Sequence, residues 1–293
     1  MLTKGINFIN FKKKKNSINI KKKLINILSN KNEIITSLGK FYKYKFKKKN
    51  LLKYKKFYNY RLIGMGGSIL GTQAIYDFLK HKIKKNFYFI NNLNSFTKKQ
   101  NTHNILNLIV SKSGNTTETI VNTNICVKKK QENIFITENK KSYLHILAQK
   151  LKSEIVHHNN YIGGRYSVLS EVGMLPAELM GLSSNKFKQF NNLIKNKKFL
   201  NNLITNVQAI LFLKKKKKFN SVILNYDEKS YYFFKWYQQL VAESLGKKGK
   251  GILPVISEMP KDNHSVMQLY LDGFKNNFFT FFACSEKNSV KLN

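Results

Sequence analysis

The chain has 293 residues and carries 53 lysines and arginines against 15 acidic residues, a formal net charge of +38. Its hydrophobic fraction of 42% is enough to bury a core, which excludes wholesale disorder, and it contains no apolar run long enough for a transmembrane helix. The two cysteines, Cys126 and Cys284, exclude a disulfide framework and favour a reducing, cytoplasmic setting.

The positive charge has two interpretations. A strongly basic chain is typical of nucleic-acid-binding proteins. However, the enriched residues are Lys, Asn, Ile, Phe and Tyr, which A- and T-rich codons encode, and the only arginines are Arg61 and Arg165. We therefore interpret the charge mainly as drift in base composition and expect no nucleic-acid partner. The lysine runs lack an adjoining amphipathic anchor, so we expect no membrane partner either.

The predicted elements begin with residues 1–58, which are rich in lysine and have apolar residues at helical spacing. They are predicted to form an N-terminal helical arm. In residues 59–184, short apolar runs alternate with helix-like segments, which indicates a parallel sheet covered on both faces. Two helices are predicted, at Ile69–Lys80 and Thr116–Lys128. The predicted strands are Tyr60–Ile63, Phe87–Ile90, Asn107–Val110, Asn133–Ile136 and Glu154–His157.

Residues 185–293 are predicted to form a second, smaller α/β unit. The helical patterns cover Phe187–Leu213, Tyr231–Leu245 and Asn263–Leu271. The strand candidates are Ser221–Leu224, Gly251–Ile256 and Phe278–Ala283. An α/β unit that ends soon after its last strand lacks a covering helix, so we expect the second unit to be incomplete.

Two turns between a predicted strand and a predicted helix have the composition of anion sites. Gly64–Gly71 is rich in glycine, which lets the backbone approach an anion at a helix N-terminus, although such turns are often only structural. It lacks the spacing of a dinucleotide site or a P-loop. In Ser111–Thr119, four hydroxyl residues within seven positions exceed what an N-cap needs. We therefore favour a phosphate site at the carboxyl edge of the sheet.

Further candidates are single side chains. Arg165 was retained in a chain where lysine is the usual cation, which suggests a need for a planar, permanently charged fork, whereas Arg61 is interpreted as structural. Gln239 and Glu243 lie one helical turn apart. Glu243 is a candidate general base; the alternative is a solvated glutamate that pairs with Lys247.

A histidine near the end of the chain completes the set of candidates. His264 could act as an acid or base near neutral pH, although a lone histidine is more often structural. The spacing of His, Cys, Asp and Glu suggests no metal site.

Five motifs from Gly64 to Gly273 resemble, in order, those of the phosphoglucose isomerase family, whose members are built from sugar isomerase (SIS) domains. The resemblance implies two three-layer αβα domains with mainly parallel sheets, residues 59–184 and 185–293, the second incomplete. The motifs read Gly-Met-Gly-Gly-Ser-Ile-Leu-Gly, Ser-Lys-Ser-Gly-Asn-Thr-Thr-Glu-Thr, Gly-Gly-Arg-Tyr-Ser-Val-Leu-Ser, Gln-Gln-Leu-Val-Ala-Glu-Ser-Leu-Gly-Lys and Asn-His-Ser-Val-Met-Gln-Leu.

The resemblance also implies an activity, the interconversion of glucose 6-phosphate and fructose 6-phosphate through a cis-enediol in glycolysis and gluconeogenesis. It implies neither a metal nor an organic cofactor. Glu243 would move the proton between C1 and C2, and Arg165 would stabilise the charge on the intermediate. His264, contributed across a homodimer interface, would assist ring opening. The implied substrate-binding residues are Gly67, Ser68, Ser111, Lys112, Ser113, Thr116, Gly164 and Gln239.

Two departures from the family pattern leave an alternative open. Gly114 and Asn115 stand where better-known members have aromatic and hydroxyl residues, and resemble SIS domains in general. The family also continues with a C-terminal segment that carries a further active-site lysine, and this segment does not occur before Asn293. The alternative is therefore a SIS protein that binds a sugar phosphate without catalysis.

Overall fold

The computed structural model of the protein describes residues 18–30, 32–93 and 104–285. Within these ranges, five parallel strands form the first sheet in the order β2-β1-β3-β4-β5. Because the neighbours of β1 lie on opposite sides of it, the carboxyl ends of β1 and β3 border the crevice where ligands bind in this topology. The strands are β1 (Asn59–Ile63), β2 (Asn86–Ile90), β3 (Ile105–Val110), β4 (Glu132–Thr137) and β5 (Glu154–His157).

Helices cover both faces of the first sheet, as predicted. Every residue of β3 is buried, and its alternating residues Leu108 and Ile109 belong to separate hydrophobic clusters, one on each face. The helices of this half are α1 (Ile18–Ser29), α2 (Glu33–Leu38), α3 (Leu70–Phe78), α4 (Thr117–Cys126), α5 (Tyr143–Lys150) and α6 (Glu171–Leu179).

The N-terminal residues are helical in part, at α1 and α2, while residues 1–17 of the predicted arm lie outside the described residues. The segment that follows α2 packs against the sheet. Phe46, Leu51, Tyr54 and Phe57 are buried in the same cluster as the strand residue Leu62. The segment before residue 58 and the first sheet therefore share one hydrophobic core. We propose that the boundary at residue 58 marks a change of secondary structure and not a separate folding unit.

The second sheet has three parallel strands in the order β7-β6-β8. This order repeats β2-β1-β3 of the first sheet, and the described residues contain no counterparts of β4 and β5 in the second sheet. The strands are β6 (Asn220–Asn225), β7 (Leu253–Glu258) and β8 (Asn277–Phe282). The helices are α7 (Phe190–Lys195), α8 (Lys197–Lys215), α9 (Tyr231–Leu245) and α10 (Met267–Asp272).

Several boundaries differ from the sequence prediction. The long pattern Phe187–Leu213 is two helices, because Asn196 ends α7 and its side chain accepts a hydrogen bond from the backbone N–H of Phe199 at the start of α8. Strand β7 begins after Gly251, whose φ of +142° does not fit a strand. No helix in the described ranges has the length and apolar character needed to cross a bilayer.

Candidate active site

The turn after β1 contacts two other segments of the predicted site through its glycines. A Cβ on Gly67 would lie 2.3 Å from the carbonyl carbon of Gly164 and 2.5 Å from the backbone nitrogen of Arg165. Gly66 has a φ of +50°, and a Cβ there would lie 2.8 Å from the amide nitrogen of Gln239. Glycine is therefore required by the close backbone contact at position 67 and favoured by the positive φ at position 66. The turn therefore brings the predicted phosphate loop next to the Arg165 segment and to α9.

The turn after β3 gathers hydroxyl groups at the N-terminus of α4. The hydroxyl groups of Ser111 and Thr116 are 3.0 Å apart, and the N–H of Gly114 donates to Ser111 Oγ at 3.2 Å. The N–H of Asn115 donates to Ser113 Oγ at 3.2 Å. Thr116 precedes α4 without capping it through its side chain. Because the N–H groups and the dipole at a helix N-terminus favour anions, the turn is suited to a phosphate group.

The side chain of Lys112 makes contacts other than those predicted. Its Nζ donates to the carbonyl oxygen of Asn160 at 2.8 Å and lies 3.4 Å from Glu138 Oε1. Burial raises the pKa of Glu138, but its bonds to Lys140 and Lys112 outweigh burial and leave that pKa lowered. For the Lys112 amine to bind the phosphate of a substrate, it must therefore leave Glu138.

Arg165 and Glu243 form the ion pair at the centre of the site, although 78 residues separate them in the chain. Arg165 Nη1 is 3.1 Å from Glu243 Oε2, and Gln239 Nε2 donates to Glu243 Oε1 at 2.6 Å. Arg165 Nε donates to Ser244 Oγ at 3.0 Å. The guanidinium also lies 4.5 Å from the centroid of the Tyr166 ring. The structure thus joins three of the predicted site residues in one hydrogen-bonded cluster.

Glu243 pairs with a residue other than the one its helical spacing suggested. Its side chain is 48% exposed, and its ion-pair partner is Arg165 rather than Lys247. The Arg165 side chain is 21% exposed. A carboxylate that is open to solvent but fixed by two donors can meet a substrate in a defined orientation.

Three residues of this cluster were not predicted from the sequence. Trp236 Nε1 donates to the carbonyl oxygen of Arg165 at 2.9 Å, and the hydroxyl groups of Tyr166 and Ser244 are 2.8 Å apart. Trp236 lies seven residues before Glu243, two helical turns away on the same face of α9, so helical spacing could have indicated it. Tyr166 and Ser244 are sequence neighbours of Arg165 and Glu243.

Two further predicted residues, His264 and Ser68, also lie outside this cluster. His264 is exposed at the end of a 3₁₀ turn, Lys261–His264, between β7 and α10. Among the contacts of the described residues, no hydrogen bond joins His264 to Arg165 or Glu243. Ser68 is half-buried in the turn after β1, and its N–H donates to the carbonyl oxygen of Met65 at 3.0 Å.

Comparison with known proteins identifies the family of the chain. The sequence model of the family described as phosphoglucose isomerase matches residues 14–253 of the chain. The chain belongs to the phosphoglucose isomerase family. It is 38% identical over 258 residues to a glucose-6-phosphate isomerase of Methanocaldococcus jannaschii, covering 81% of this chain and 63% of that one. Against one of Acholeplasma laidlawii it is 32% identical over 260 residues, covering 79% of this chain and 60% of the relative. The chain thus spans less than two thirds of these relatives.

Solved structures confirm the fold class. A hypothetical protein of Thermus thermophilus superposes with a TM-score of 0.73 at 19% identity, covering 90% of this chain and 69% of that one. A glucose-6-phosphate isomerase of Chlamydia trachomatis superposes with a TM-score of 0.61 at 21% identity, covering 83% of this chain and 55% of that one. The prediction of an α/β fold of the SIS type with mainly parallel sheets is therefore correct.

Proposed function

We propose that the chain interconverts glucose 6-phosphate and fructose 6-phosphate, as the resemblance implied. The observation that carries this proposal is the ion pair between Arg165 and Glu243, which lies beside the turn after β1 at the ligand-binding edge of the sheet. A carboxylate, a fixed cation and a phosphate anchor are the three parts that an enediol mechanism needs. Membership of the phosphoglucose isomerase family supports the same reaction.

The phosphate group of the substrate would bind at the N-terminus of α4, where the turn after β3 has its hydroxyl cluster. The backbone N–H groups and the dipole of the helix favour a dianion there. Gly67, Gly164 and Gln239 would line the sugar, since Gly67 lies against Gly164 beside Arg165 and Gln239 bonds Glu243. The proposed phosphate ligands are Ser68, Ser111, Lys112, Ser113 and Thr116.

Glu243 would act as the base that moves one proton between C1 and C2 of the open-chain sugar. The carboxylate removes the proton from C2 of the aldose and a cis-enediolate forms with negative charge on O1. The hydroxyl proton on O2 moves to O1, and the proton held by the carboxylate is then delivered to C1, which leaves the carbonyl group at C2 of the ketose. Arg165 would stabilise the negative oxygen of the intermediate, because its guanidinium stays charged and is already held by Ser244. Gln239 orients the carboxylate through its bond to Oε1.

Ring opening would use His264 from a second copy of the chain in a homodimer. Support for this arrangement comes from the exposure of His264 and from its separation from the hydrogen-bonded cluster of its own chain. We place the protein in the cytoplasm, since neither Cys126 nor Cys284 is in a disulfide and a glycolytic reaction uses cytoplasmic substrates. Residues 59–184 and 185–293 are proposed to be the two SIS-type domains.

A matched pair of variants tests the proposal. Glu243→Gln removes the base but keeps the size of the side chain, and Glu228→Gln makes the same change at an exposed glutamate outside the site. We expect purified wild-type chain and Glu228→Gln to form fructose 6-phosphate, and Glu243→Gln to lose at least about a hundredfold in kcat. Saturable binding of fructose 6-phosphate without turnover in the wild type would support the non-catalytic alternative. Absence of both would reject the two functions.

A further inference from the structure

Arg61 is a buried cation without a carboxylate partner in the described part of the chain. Its side chain is 2% exposed, and burial lowers the pKa of its guanidinium. Nη1 donates to Asn107 Oδ1 at 3.3 Å and to the carbonyl oxygen of Cys126, the last residue of α4, at 2.8 Å. Its Nε is buried without a hydrogen-bond partner among the described residues. The interior of the first sheet therefore holds a positive charge that only carbonyl groups offset.

This charge fixes the orientation of a row of amide side chains. Because a guanidinium only donates, Asn107 must present its oxygen to Arg61 and its nitrogen elsewhere. Asn107 Nδ2 donates to Gln131 Oε1 at 3.0 Å and to Asn133 Oδ1 at 2.9 Å. Each amide thus receives a bond on its oxygen from the direction of Arg61. The amide nitrogen of Asn133 in turn donates to the carbonyl oxygen of Gln131 at 2.8 Å.

The row of amides ends at a cavity. Gln131 and Asn133, at the start of β4, line a cavity of about 550 Å³, together with residues at the start of β5. The cavity therefore lies at the amino edge of the first sheet, opposite the edge where β1 and β3 end. It is separate from the proposed active site. The full lining is Lys53, Tyr54, Lys129, Lys130, Gln131, Glu132, Asn133, Leu151, Lys152, Ser153 and Glu154.

The cavity has an excess of positive charge. Lys53 Nζ is 3.3 Å from Glu154 Oε2, which also accepts a hydrogen bond of 2.9 Å from the Tyr54 hydroxyl, so Glu154 is already satisfied. The remaining lysines come from two separate turns, Lys129 and Lys130 before β4 and Lys152 before β5. Within the described ranges, none of these three has a carboxylate at ion-pair distance. Three lysines without a carboxylate partner, from two separate turns, therefore line the same cavity.

We propose that this cavity binds a small molecule that carries two or more phosphate groups. Lysines on separate turns match phosphates that are spaced apart, and the cavity volume is that of a site for a small organic ligand rather than for one inorganic ion. A nucleic acid would need an extended basic track instead of a concave site.

Binding of inorganic tripolyphosphate to the full chain, measured by calorimetry at about 0.15 M salt, tests the site. The variant is the triple substitution Lys129→Gln, Lys130→Gln, Lys152→Gln. Its control is Lys21→Gln, Lys22→Gln, Lys23→Gln, which removes the same charge from exposed lysines of α1 that are not part of the lining of this cavity. We expect one saturable site in the wild type and the control. We expect at least about a tenfold loss of affinity in the cavity variant.

A second measurement uses only the wild-type chain. Tripolyphosphate should protect Lys129, Lys130 and Lys152 from acetylation, as read by mass spectrometry, and leave Lys21 and Lys22 as reactive as before. Equal losses of affinity in the two triple variants, or absence of a saturable site, would overturn the proposal. Tighter, cavity-dependent binding of single-stranded DNA would overturn it in favour of a nucleic-acid site. These readouts do not depend on isomerase activity, so this proposal and the proposed function fail separately.

Discussion

Arg165 has a set of contacts that a lysine cannot reproduce. Its guanidinium bonds Glu243 through Nη1 and Ser244 through Nε while it stacks over Tyr166. An ammonium group carries its charge at one point and has no plane to stack. The sequence argument that a retained arginine marks a need for this geometry is consistent with these contacts.

Replacement of Arg165 by lysine should therefore damage turnover more than substrate binding. We expect Arg165→Lys to lower kcat by about a hundredfold with little change in KM, because a misplaced charge fails to stabilise the enediolate while the phosphate anchor remains intact. Steady-state kinetics checks this, with circular dichroism to show that the variant is folded. A raised KM at unchanged kcat would instead assign Arg165 to ground-state binding.

Lys188 is the second informative side chain. It is 6% exposed, its Nζ donates to the carbonyl oxygens of Ser37 and Leu169, and it lies 4.7 Å from the centroid of the Tyr42 ring and 4.8 Å from that of Tyr44. Burial lowers the pKa of Lys188 to about 8, although the charge of Glu171 opposes this. Burial, with Glu171 nearby, raises the pKa of both tyrosines, so neither ionises in the same range of pH.

The lowered pKa of Lys188 predicts a rise in stability at alkaline pH. The unfolded chain keeps the proton up to the ordinary pKa of 10.5, whereas the folded chain loses it near 8. The buried charge therefore costs stability below about pH 8, and this cost is relieved between pH 8 and 10.5, by at most about 3 kcal/mol. Urea unfolding of the wild type and of Lys188→Met measures the difference between their free energies of unfolding. This difference should change in favour of the wild type as the pH rises from 8 to 10.5. A difference that does not depend on pH would contradict this prediction.

At the scale of elements, the contact between the turn after β1 and the Arg165 segment has no room for a side chain. A Cβ on Gly67 would lie 2.3 Å from backbone, whereas a Cβ on Gly163 would lie 3.5 Å from the Tyr166 ring, an ordinary contact. We expect Gly67→Ala to cost about 1–3 kcal/mol, because it forces the two turns apart. Gly163→Ala is the matched control and should cost less than about 0.5 kcal/mol. Thermal unfolding of both variants measures the difference, and equal costs would show that the turns move freely.

The strands and long helices could be predicted because their apolar pattern is local. Strand β5 and helix α9 have the predicted bounds, Glu154–His157 and Tyr231–Leu245. Helix α6 could not be predicted, since all nine of its residues are buried and it contains Pro176, so it shows neither amphipathic spacing nor good helix propensity. Helix α5 is only eight residues long and was also missed. Burial on all sides removes the pattern on which such predictions rest.

The composition of the candidate site could be predicted, but its pairing could not. Arg165, Gln239 and Glu243 stood out because their residue types are unusual where they occur. Which of them meet depends on the packing of α9 against the Arg165 segment, far apart in sequence. The ion pair between Lys112 and Glu138 could not be predicted for the same reason. Glu138 follows the neighbouring strand, and no local spacing in the sequence connects it to Lys112.

For the whole molecule, the two sheets share one topological plan. The order β7-β6-β8 matches β2-β1-β3, so the outer edge of β8 corresponds to the edge of β3 that β4 covers in the first sheet. Phe281 on β8 is 72% exposed, and Leu271 at the end of α10 is 64% exposed. Within the described residues, Phe281 lacks the cover that Ile109, at the matching place on β3, receives. This comparison supports the proposed division into two domains, the second with fewer strands.

The net charge of +38 acts on the molecule as a whole and predicts a salt dependence of stability. Like charges repel more strongly in the compact state, and the screening length falls from about 30 Å at 0.01 M salt to about 8 Å at 0.15 M. We therefore expect sodium chloride to raise the Tm of the wild type over this range. The rise in Tm should be smaller in the triple variant of Lys21, Lys22 and Lys23, which carries less positive charge. Tripolyphosphate at matched ionic strength should raise the Tm further in the wild type but not in the triple variant of Lys129, Lys130 and Lys152. A Tm that is flat in salt would show that the lysines are far enough apart not to repel.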